Sequence, residues 1–387
     1  MNVLSVTTLY PNRAQPVHGI FVENRLRHLA ASGEVALTVV APVPWFPFAS
    51  PRFGRYAAYA RAPRREERHG IEVFHPRYPV IPKIGMTLAP ALLRRGAWPT
   101  VARLVRERGV QLIDAHYFYP DGVAAVAMAR ALGLPVCVTA RGTDLNLIPQ
   151  FPKPFEMIRQ AAMDADAVIT VCDALQGPLI DMGVPPAAIT TLRNGVDLEL
   201  FRPSDRAAAR ARWGVDGRVV VSVGGLVERK GHHLAIDALR ALPDVTLLIA
   251  GEGEERAALE ARIAASGLGG RARLLGLVSQ DELPALYAAA DALVLASSRE
   301  GWANVLLEAM ACGTPVVATD VWGTAEVVAA PEAGVLIDER SARAIADGLA
   351  RLFADPPDRA ATRAYAERFS WDATTAGQLR LFERLVG

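Results

Sequence analysis

The chain has 387 residues, of which 51% are hydrophobic and 21% charged, and its formal net charge is +1. This composition is that of a globular enzyme long enough for two or three domains, and it excludes disordered and low-complexity classes. The three cysteines, Cys137, Cys172 and Cys312, lie far apart in apolar runs. This pattern predicts core residues rather than a disulfide or metal framework.

The small net charge hides an uneven distribution. Residues 1–190 contain twenty Lys and Arg against fourteen Asp and Glu, and the remainder contains 22 against 27. A basic front half is compatible with an anionic membrane surface or an anionic acceptor. Nucleic acid is disfavoured, because the chain shows no basic helix or interleaved aromatic platform.

Membrane insertion and secretion are not expected. No apolar run reaches the ~18–20 residues of a membrane-spanning helix. The opening segment, MNVLSVTTLYP, lacks the basic region of a signal peptide. We therefore expect a cytoplasmic protein, for which peripheral contact with the inner face of the membrane through its basic first domain stays open.

Apolar runs of strand length alternate with helix-period segments along almost the whole chain. In chain order the predicted strands are VLSVTT, VALTVVAP, IEVFHP, LIDAH, PVCVTAR and AVITV, then VVVSVGG, VTLLIAGEG, RLLGLV, ALVLAS and TPVVAT. Amphipathic stretches such as GVAAVAMARALG and EERAALEARIAASG lie between them. Continuous Val, Ile and Leu strands separated by such helices predict parallel sheets covered on both faces.

Eleven strands are too many for one ordinary doubly wound sheet, and the pattern restarts after NGVDLELFRPSDRAAARARWGVDGR. The sequence therefore predicts an α/β protein with two Rossmann-like doubly wound domains, over residues 1–190 and 191–369. The last segment, about residues 370–387, reads as a helix that packs at the junction and crosses back to the first domain. In two domains facing across a cleft, the ligand is expected at the carboxyl ends of the strands.

Residues 52–108 are less regular than the rest and rich in Arg and Pro, and they contain an apolar and basic run from Lys83 to Arg108. The run suits a lid or an acceptor surface. A set of solvated helices with arginine-rich faces explains it equally well.

Two carboxylates flank a predicted helix start in the string EGWANVLLEAMACGTPVVATD. The helix would begin at Asn304, and its free N–H groups and dipole favour a phosphate. Glu300 precedes the helix and Glu308 lies about one turn inside it. Carboxylates accept hydrogen bonds from vicinal hydroxyls, so this arrangement suits a nucleotide sugar, in which hydroxyl-bearing groups flank a diphosphate. A surface Glu and a helix-favouring Glu are the alternative.

The full string closely resembles the signature of retaining glycosyltransferases of the GT-B fold, family 4. The resemblance extends over essentially the whole chain. The wording LYPN…HGIFVEN, AHYFYPDG and RGTD most resembles the branch that contains teichuronic acid biosynthesis glycosyltransferases. The resemblance implies that Glu300 contacts the donor sugar and Glu308 the ribose, while the backbone of Ala303, Asn304 and Val305 meets the diphosphate.

The segment VSVGGLVERKG follows a buried strand and opens a helix. Its Arg229 and Lys230 offer a bidentate fork and a point charge, which suit a diphosphate, although an RK pair is also common on solvated surfaces. The resemblance implies that this pair stabilises the leaving group and that Gly224 belongs to the donor site. Many family members have an arginine where this chain has Gly225, which places more of the phosphate contact on Arg229 and Lys230.

The remaining site residues are also assigned by the resemblance. The backbone around Val278 would contact the nucleobase. Gly19 would lie near the diphosphate and acceptor, although a glycine at this position is explained more simply by a tight turn. His116, at the carboxyl end of a strand, would bind the donor sugar and help to position the acceptor, with a structural histidine as the alternative. Asp144 is the candidate acceptor-side base, and Arg141 is a candidate second anion contact.

These assignments predict a retaining, metal-independent glycosyltransferase. It would move a hexosyl unit from a nucleoside-diphosphate sugar, UDP being favoured over GDP, to a glycan, lipid-linked or small-molecule acceptor in cell-surface glycan or glycolipid synthesis. No cofactor, metal site or nucleic-acid partner is expected. Two alternatives stay open: a GT-B-fold nucleotide-sugar epimerase, which needs no acceptor, and a non-catalytic sugar-nucleotide-binding subunit, which Gly225 would suit.

Overall fold

The structure, a computed structural model, describes residues 1–81 and 85–387. Residues 82–84, at the start of the predicted lid or acceptor surface, lie outside the described residues. The chain divides into two compact units: Met1–Asn194 together with Asp372–Gly387, and Gly195–Trp371.

The strands of the first unit are, in chain order, β1 (Asn2–Val6), β2 (Ala36–Val40), β3 (Val43–Pro44), β4 (Arg65–Arg68), β5 (Ile71–Phe74), β6 (Arg77–Tyr78), β7 (Leu112–His116), β8 (Val136–Ala140), β9 (Ala167–Thr170) and β10 (Ile189–Thr191). Its helices before residue 195 are α1 (Ile20–Ala31), α2 (Arg55–Arg61), α3 (Ala89–Arg108), α4 (Val123–Leu132), α5 (Thr143–Asn146), α6 (Pro152–Asp164) and α7 (Gln176–Asp181).

The main sheet of the first unit has the strand order β10-β9-β8-β7-β1-β2-β5-β4, and β3 pairs with β6 in a separate ribbon. Its strand pairs are parallel except for β4 with β5. Every residue of β8 and β9 is buried, which explains their almost continuous apolar runs. The order reverses between β1 and β7, so the segments that follow these two strands diverge there.

The strands of the second unit are β11 (Arg218–Val223), β12 (Val245–Ala250), β13 (Ala272–Gly276), β14 (Ala292–Leu295), β15 (Val316–Thr319) and β16 (Gly334–Ile337). Its helices are α8 (Arg206–Trp213), α9 (His232–Ala238), α10 (Arg256–Ala265), α11 (Leu283–Ala289), α12 (Asn304–Ala311), α13 (Thr324–Val327), α14 (Ala342–Ala354) and α15 (Arg359–Glu367). The sheet is parallel, with the order β13-β12-β11-β14-β15-β16. Its switch point lies between β11 and β14.

All eleven predicted strands are confirmed, and both main sheets are built from parallel strands as predicted. The strands that sequence reasoning missed are β3, β4, β6, β10 and β16. They are short or lie at a sheet edge, and β4 has the polar sequence REER. Such strands carry little of the apolar run that identifies a central strand.

The chain ends in helix α16 (Trp371–Val386). Residues from Asp372 onward belong to the first unit, so the chain enters the second unit and then returns. Among the described residues, no helix has the length and apolar character needed to cross a bilayer.

Candidate functional site

The switch point of the second unit brings three predicted residues together. Arg229 and Lys230 lie in the segment that follows β11, and Glu300 lies in the segment that follows β14. Lys230 Nζ is 2.5 Å from Glu300 Oε1, and Arg229 Nη1 is 3.7 Å from the same oxygen. The carboxyl ends of strands at a switch point are where open α/β sheets bind ligands.

The Lys230–Glu300 pair is enclosed, whereas Arg229 reaches the solvent. The exposed fractions of the three side chains are 14%, 10% and 34%, respectively. Burial alone would raise the pKa of Glu300, but the charge of Lys230, hydrogen bonds from Lys230 and Ser297, and the charge of Arg229 together lower it below its ordinary value. Glu300 is therefore a carboxylate at neutral pH. Ser297, whose Oγ donates to Glu300 at 2.6 Å, was missed by sequence reasoning.

A glycine allows the two segments to approach this closely. Gly231 has a φ of 71°, and a β-carbon there would lie 2.1 Å from Ala296 O. The backbone N–H of Ser298 also donates to Arg229 O at 2.8 Å. The close approach of the two backbones thus sets the distance between Lys230 and Glu300.

The loop at the end of β11 is anchored by a histidine that sequence reasoning missed. His232 Nδ1 lies 2.9 Å from Ser222 Oγ, and its Nε2 lies 3.3 Å from Gly225 O. Burial lowers the pKa of His232 to about 4, so the ring is neutral at physiological pH. Beside this loop, a β-carbon added at Gly224 would lie 3.5 Å from the carbon chain of Lys230.

Helix α12 begins at Asn304, as predicted, and no side chain caps its first turn at Ala303. Asn304 and Val305 are half-buried and Ala303 is buried. The backbone N–H groups of a helix start favour an anion.

Glu308 lies in the second turn of α12 and is 9% exposed. Tyr287 Oη donates a hydrogen bond to Glu308 Oε2 at 2.9 Å. Burial raises the pKa of Glu308 to about 7, against the opposing effect of the Tyr287 hydrogen bond. Tyr287 thus binds one oxygen of the Glu308 carboxylate, which is the group predicted to contact the ribose.

Val278 lies just beyond the carboxyl end of β13, and its side chain is half-buried. The preceding Leu277 has a side chain that is 64% exposed. The strand end is held by a hydrogen bond from the N–H of Gly251 to Gly276 O, at 2.8 Å. The segment is therefore an accessible strand end next to β12, as a backbone contact requires.

In the first unit, Gly19 has a φ of 70° and directly precedes α1. A β-carbon at Gly19 would lie 2.3 Å from Leu9 O. The close approach that this glycine permits is therefore to Leu9 of the same chain. This geometry supports the tight turn that we gave as the simpler explanation.

Asp121, which sequence reasoning missed, joins the two segments at the switch point of the first unit. It follows β7, and its carboxylate accepts hydrogen bonds from the N–H and the hydroxyl of Thr8, just beyond β1, at 2.6 and 3.0 Å. Burial raises the pKa of Asp121 to about 7. Its signal in the sequence is weak, because PDG is also an ordinary turn.

His116 is completely buried at the end of β7. Arg141 Nη2 lies 2.7 Å from His116 Nδ1, and Asp114 Oδ2 lies 3.0 Å from His116 Nε2. A guanidinium can only donate, so Nδ1 accepts and the ring proton is on Nε2. Burial lowers the pKa of His116 to about 4. Both ring nitrogens lie close to protein groups, and the predicted contact with the donor sugar stays a prediction.

Asp144, the predicted acceptor-side base, lies among backbone N–H groups, and its role as a base stays a prediction. Its side chain is fully buried, and its carboxylate accepts backbone N–H groups from Phe118 at 2.9 Å, Arg141 at 3.0 Å and Gly142 at 2.7 Å. These contacts organise the loop after β8 and leave the carboxylate remote from solvent. Arg141 is also 9% exposed and donates to Asn194 Oδ1 at 3.1 Å, so its predicted anion contact competes with internal partners.

The returning C-terminal helix completes this buried polar group. Gln378 Oε1 accepts from Arg25 Nε at 2.9 Å, and Gln378 Nε2 lies 3.4 Å from Asp114 Oδ2. Both Arg25 and Gln378 are buried. Burial lowers the pKa of Arg25 to about 10, which leaves it charged at neutral pH.

Two groups of predicted residues thus come together, one in each unit. In the second unit these are Arg229, Lys230 and Glu300, and in the first they are His116, Arg141 and Asp144. In the described part of the chain, no group of three or more His, Cys, Asp or Glu side chains has the arrangement of a metal site.

Two models of known protein families together match almost the whole chain. The family model described as Glycosyltransferase Family 4 matches residues 18–200, and the model described as Glycosyl transferases group 1 matches residues 205–369. A Bacillus subtilis (strain 168) protein, named provisionally as the teichuronic acid biosynthesis glycosyltransferase TuaC, is 29% identical over 361 residues, which is 91% of this chain and 89% of that protein.

Two solved structures have the same fold over the full chain. Sucrose-phosphate synthase from Thermosynechococcus elongatus superposes with a TM-score of 0.81 and 21% identity, covering 100% of this chain and 99% of that chain. Anabaena Alr3699/HepE, solved in complex with UDP-glucose, superposes with a TM-score of 0.77 and 24% identity, covering 100% of both chains. The protein is a glycosyltransferase of family 4 with the GT-B fold.

Proposed function

We propose that the protein is a retaining glycosyltransferase that moves a hexosyl unit from a nucleoside-diphosphate sugar to an acceptor hydroxyl. The proposal depends on the arrangement of Lys230, Arg229 and Glu300 at the switch point of the second unit. Two cations suit a diphosphate, and a carboxylate beside them suits the hydroxyl groups of the attached sugar.

The leaving diphosphate gains negative charge as the glycosidic bond breaks and the sugar becomes oxocarbenium-like. Lys230 and Arg229 would stabilise that charge, together with the N–H groups at the start of α12. The ammonium of Lys230 is bonded to Glu300 in this structure, so donor binding would redirect it to the phosphate. Glu300 would then accept hydrogen bonds from the sugar. The acceptor would attack from the face that the diphosphate leaves, without a covalent enzyme intermediate.

The donor is proposed to be a UDP-sugar. Support comes from Anabaena Alr3699/HepE, whose complexes contain UDP and UDP-glucose. Glu308 would accept the ribose hydroxyls through the part of its carboxylate that Tyr287 leaves available. The backbone near Val278 would contact the base.

The acceptor is proposed to be a growing cell-surface glycan or a lipid-linked or small-molecule precursor of one. The name of the Bacillus subtilis relative, which refers to teichuronic acid biosynthesis, supports a polysaccharide role. The surplus of Lys and Arg in residues 1–190 suits an anionic acceptor, and we propose that the reaction takes place in the cytoplasm. Protein side chains would supply the positive charge that stabilises the leaving diphosphate, so the reaction is proposed to need no divalent ion.

A thermal-shift panel tests donor binding, because a ligand that binds the native state raises its melting temperature. We expect UDP-glucose or another UDP-sugar to stabilise the wild type more than GDP- and ADP-sugars do. Lys230→Ala should remove most of the shift. No shift with any nucleotide sugar would contradict the proposal.

A transfer assay by NMR tests the reaction class. The product should keep the anomeric configuration of the donor, and a chelator should leave turnover unchanged. Inversion of the anomeric centre or loss of turnover with the chelator would refute those parts of the proposal. Interconversion of the donor without an acceptor would identify an epimerase. Donor binding without transfer to any acceptor extract would identify a binding subunit.

A further inference from the structure

Exposed apolar side chains are concentrated in one part of the first unit. In the described part of the chain, seven of the twelve large apolar side chains that stand exposed fall within residues 45–88. They include Trp45 at 59%, Phe48 at 53% and Val80 at 50% exposure. Single exposed apolar residues are ordinary on protein surfaces, but such a concentration marks an interaction surface.

The pairing of β3 with β6 brings the segments that contain Trp45 and Val80 close together. Strands β3 and β6 pair in parallel, so the segments that follow them leave from the same end of the ribbon. The N–H of Trp45 extends the pairing by donating to Tyr78 O at 2.7 Å. Val80 therefore lies only two residues after Tyr78, to which Trp45 is hydrogen-bonded. We call this surface, formed by the exposed apolar residues of 45–61 and 78–81, the ribbon-end patch.

Aromatic contacts give the ribbon-end patch a defined shape. The ring centroids of Phe48 and Phe53 are 5.1 Å apart and stacked. The ring of Phe46 lies 5.5 Å from that of Phe53 and 5.5 Å from that of Tyr56 on α2. Arg52 lies over the Phe53 ring, 4.9 Å from its centroid. The exposed rings of Phe48 and Tyr56 thus pack against neighbouring rings, and a cation lies over the face of Phe53.

The two sequence segments that contain the ribbon-end patch carry charged side chains of a single sign. Residues 45–64 contain four arginines and no Asp or Glu, and residues 77–106 contain six Lys and Arg and no Asp or Glu. Arg94 and Arg95 are exposed on α3. They adjoin Gly96, where a β-carbon would lie 2.6 Å from Arg77 O, so this part of α3 packs directly against β6.

We propose that the ribbon-end patch docks on the surface of an anionic lipid bilayer. Trp and Tyr favour the boundary between headgroups and acyl chains, where Phe and aliphatic side chains can enter the apolar layer. Arginines around them attract acidic headgroups, and each basic side chain near such a surface strengthens binding by about fivefold. Apolar insertion and one-signed positive charge together are the chemistry of interfacial membrane binding.

The absence of acidic residues from both sequence segments favours a lipid surface over a protein partner. Protein interfaces gain selectivity from complementary charges of both signs, whereas an anionic bilayer attracts every cation near its surface. The proposal concerns residues of the first unit and does not depend on the donor site.

Co-sedimentation of the full chain with lipid vesicles tests the proposal. We expect binding to vesicles of phosphatidylcholine mixed with phosphatidylglycerol, and at least about tenfold weaker binding to phosphatidylcholine alone. Trp45→Ser combined with Phe48→Ser should weaken binding to the mixed vesicles by at least about tenfold. Arg94→Gln combined with Arg95→Gln should weaken it by a similar factor and reduce its dependence on salt.

Ile180→Ser is the matched control. Ile180 is 43% exposed on α7 of the same unit but lies outside the ribbon-end patch, so its variant should bind vesicles as the wild type does. All variants should retain the UDP-sugar-induced thermal shift of the wild type, which distinguishes loss of docking from misfolding and from failure of the donor-site proposal. Wild-type binding that Trp45→Ser/Phe48→Ser leaves unchanged would overturn the proposal. No vesicle binding by the wild type, or patch variants that lose only glycan or protein binding, would also overturn it.

Discussion

Lys230 Nζ and Glu300 Oε1 lie 2.5 Å apart, although the two residues follow different strands and are separated by seventy positions in the chain. Each charge is therefore neutralised by the other before a donor arrives. The pair keeps the site ordered, and it also holds back the cation that a diphosphate needs. Binding and turnover should consequently respond differently when the carboxylate is removed.

Glu300→Gln should lower turnover by at least ~10²-fold, because the hydroxyl contact that orients the sugar is weakened. The same change should tighten UDP binding by about tenfold, because it frees Lys230 and removes a negative charge near the phosphates. Calorimetry with UDP and single-turnover transfer measure the two effects. Glu260→Gln, at an exposed i,i+4 ion pair on α10, is the control and should change neither. Weaker UDP binding by Glu300→Gln would contradict the exchange of partners proposed for Lys230.

The pKa of about 7 at Glu308 predicts a pH dependence of donor affinity. The carboxylate accepts ribose hydroxyls better than the neutral acid, so affinity should rise as the pH increases through about 7. Glu308→Gln should remove this rise. Tyr287→Phe should move its midpoint to higher pH, because the Tyr287 hydrogen bond lowers the pKa of Glu308. Titration of UDP affinity between pH 5 and pH 9 by calorimetry checks the profile, and a midpoint unchanged in both variants would assign it to another group.

Glu308 also predicts a pH dependence of stability. Its folded-state pKa is raised above the ordinary glutamate value of 4.5, so between about 4.5 and about 7 the native state binds more protons than the unfolded state. The free energy of unfolding should therefore fall as the pH rises through this window. Urea unfolding at several pH values should show a shallower fall in Glu308→Gln than in the wild type. A fall of equal size in both would exclude Glu308 as its source.

Arg141→Lys should destabilise the first unit by about 2 kcal/mol, because one ammonium cannot replace the planar fork that reaches His116 and Asn194. Urea unfolding measures the change. Arg130→Lys is the control: Arg130 is 58% exposed and pairs with Asp164, so its replacement should cost less than about 0.5 kcal/mol. Equal losses in the two variants would mean that the buried contacts of Arg141 add nothing to stability.

Gly231→Ala should cost more than about 2 kcal/mol and should reduce turnover, because its new β-carbon meets Ala296 O and forces Lys230 away from Glu300. Gly267→Ala is a close control. Gly267 has a φ of 66°, against 71° at Gly231, but nothing lies within 4 Å of its would-be β-carbon. The control should therefore cost only about 1 kcal/mol of backbone strain and leave turnover unchanged. Equal effects would show that φ alone, and not the close approach, restricts position 231.

The two sheets could be predicted because their central strands are buried on both faces. PVCVTAR and AVITV, for example, are near-continuous apolar runs, and they form the fully buried β8 and β9. The edge strands could not be predicted in this way. REER has no apolar run, and its pairing with β5 depends on a neighbour that periodicity does not reveal.

The candidate site was predictable only in part. The resemblance to family 4 indicated Arg229, Lys230 and Glu300, and the strand order explains why they meet. The internal partners of the buried residues were not predictable. Arg25 and Gln378 are 353 positions apart, and no local pattern links them. The detectable signal was a polar residue in an otherwise apolar setting, such as Asp114 within LIDAH, which marks a buried group in need of a partner.

The position of Gln378 near the end of the chain has a consequence for folding during synthesis. Translation produces residues 1–194 first, yet Arg25 and Asp114 must wait for Gln378, which emerges only after the whole second unit has been made. Until then, two buried ionic groups lack a neighbour that the finished protein supplies. The unit that is synthesised first is thus completed last. A fragment that ends at residue 194 should therefore need the C-terminal helix added as a separate peptide.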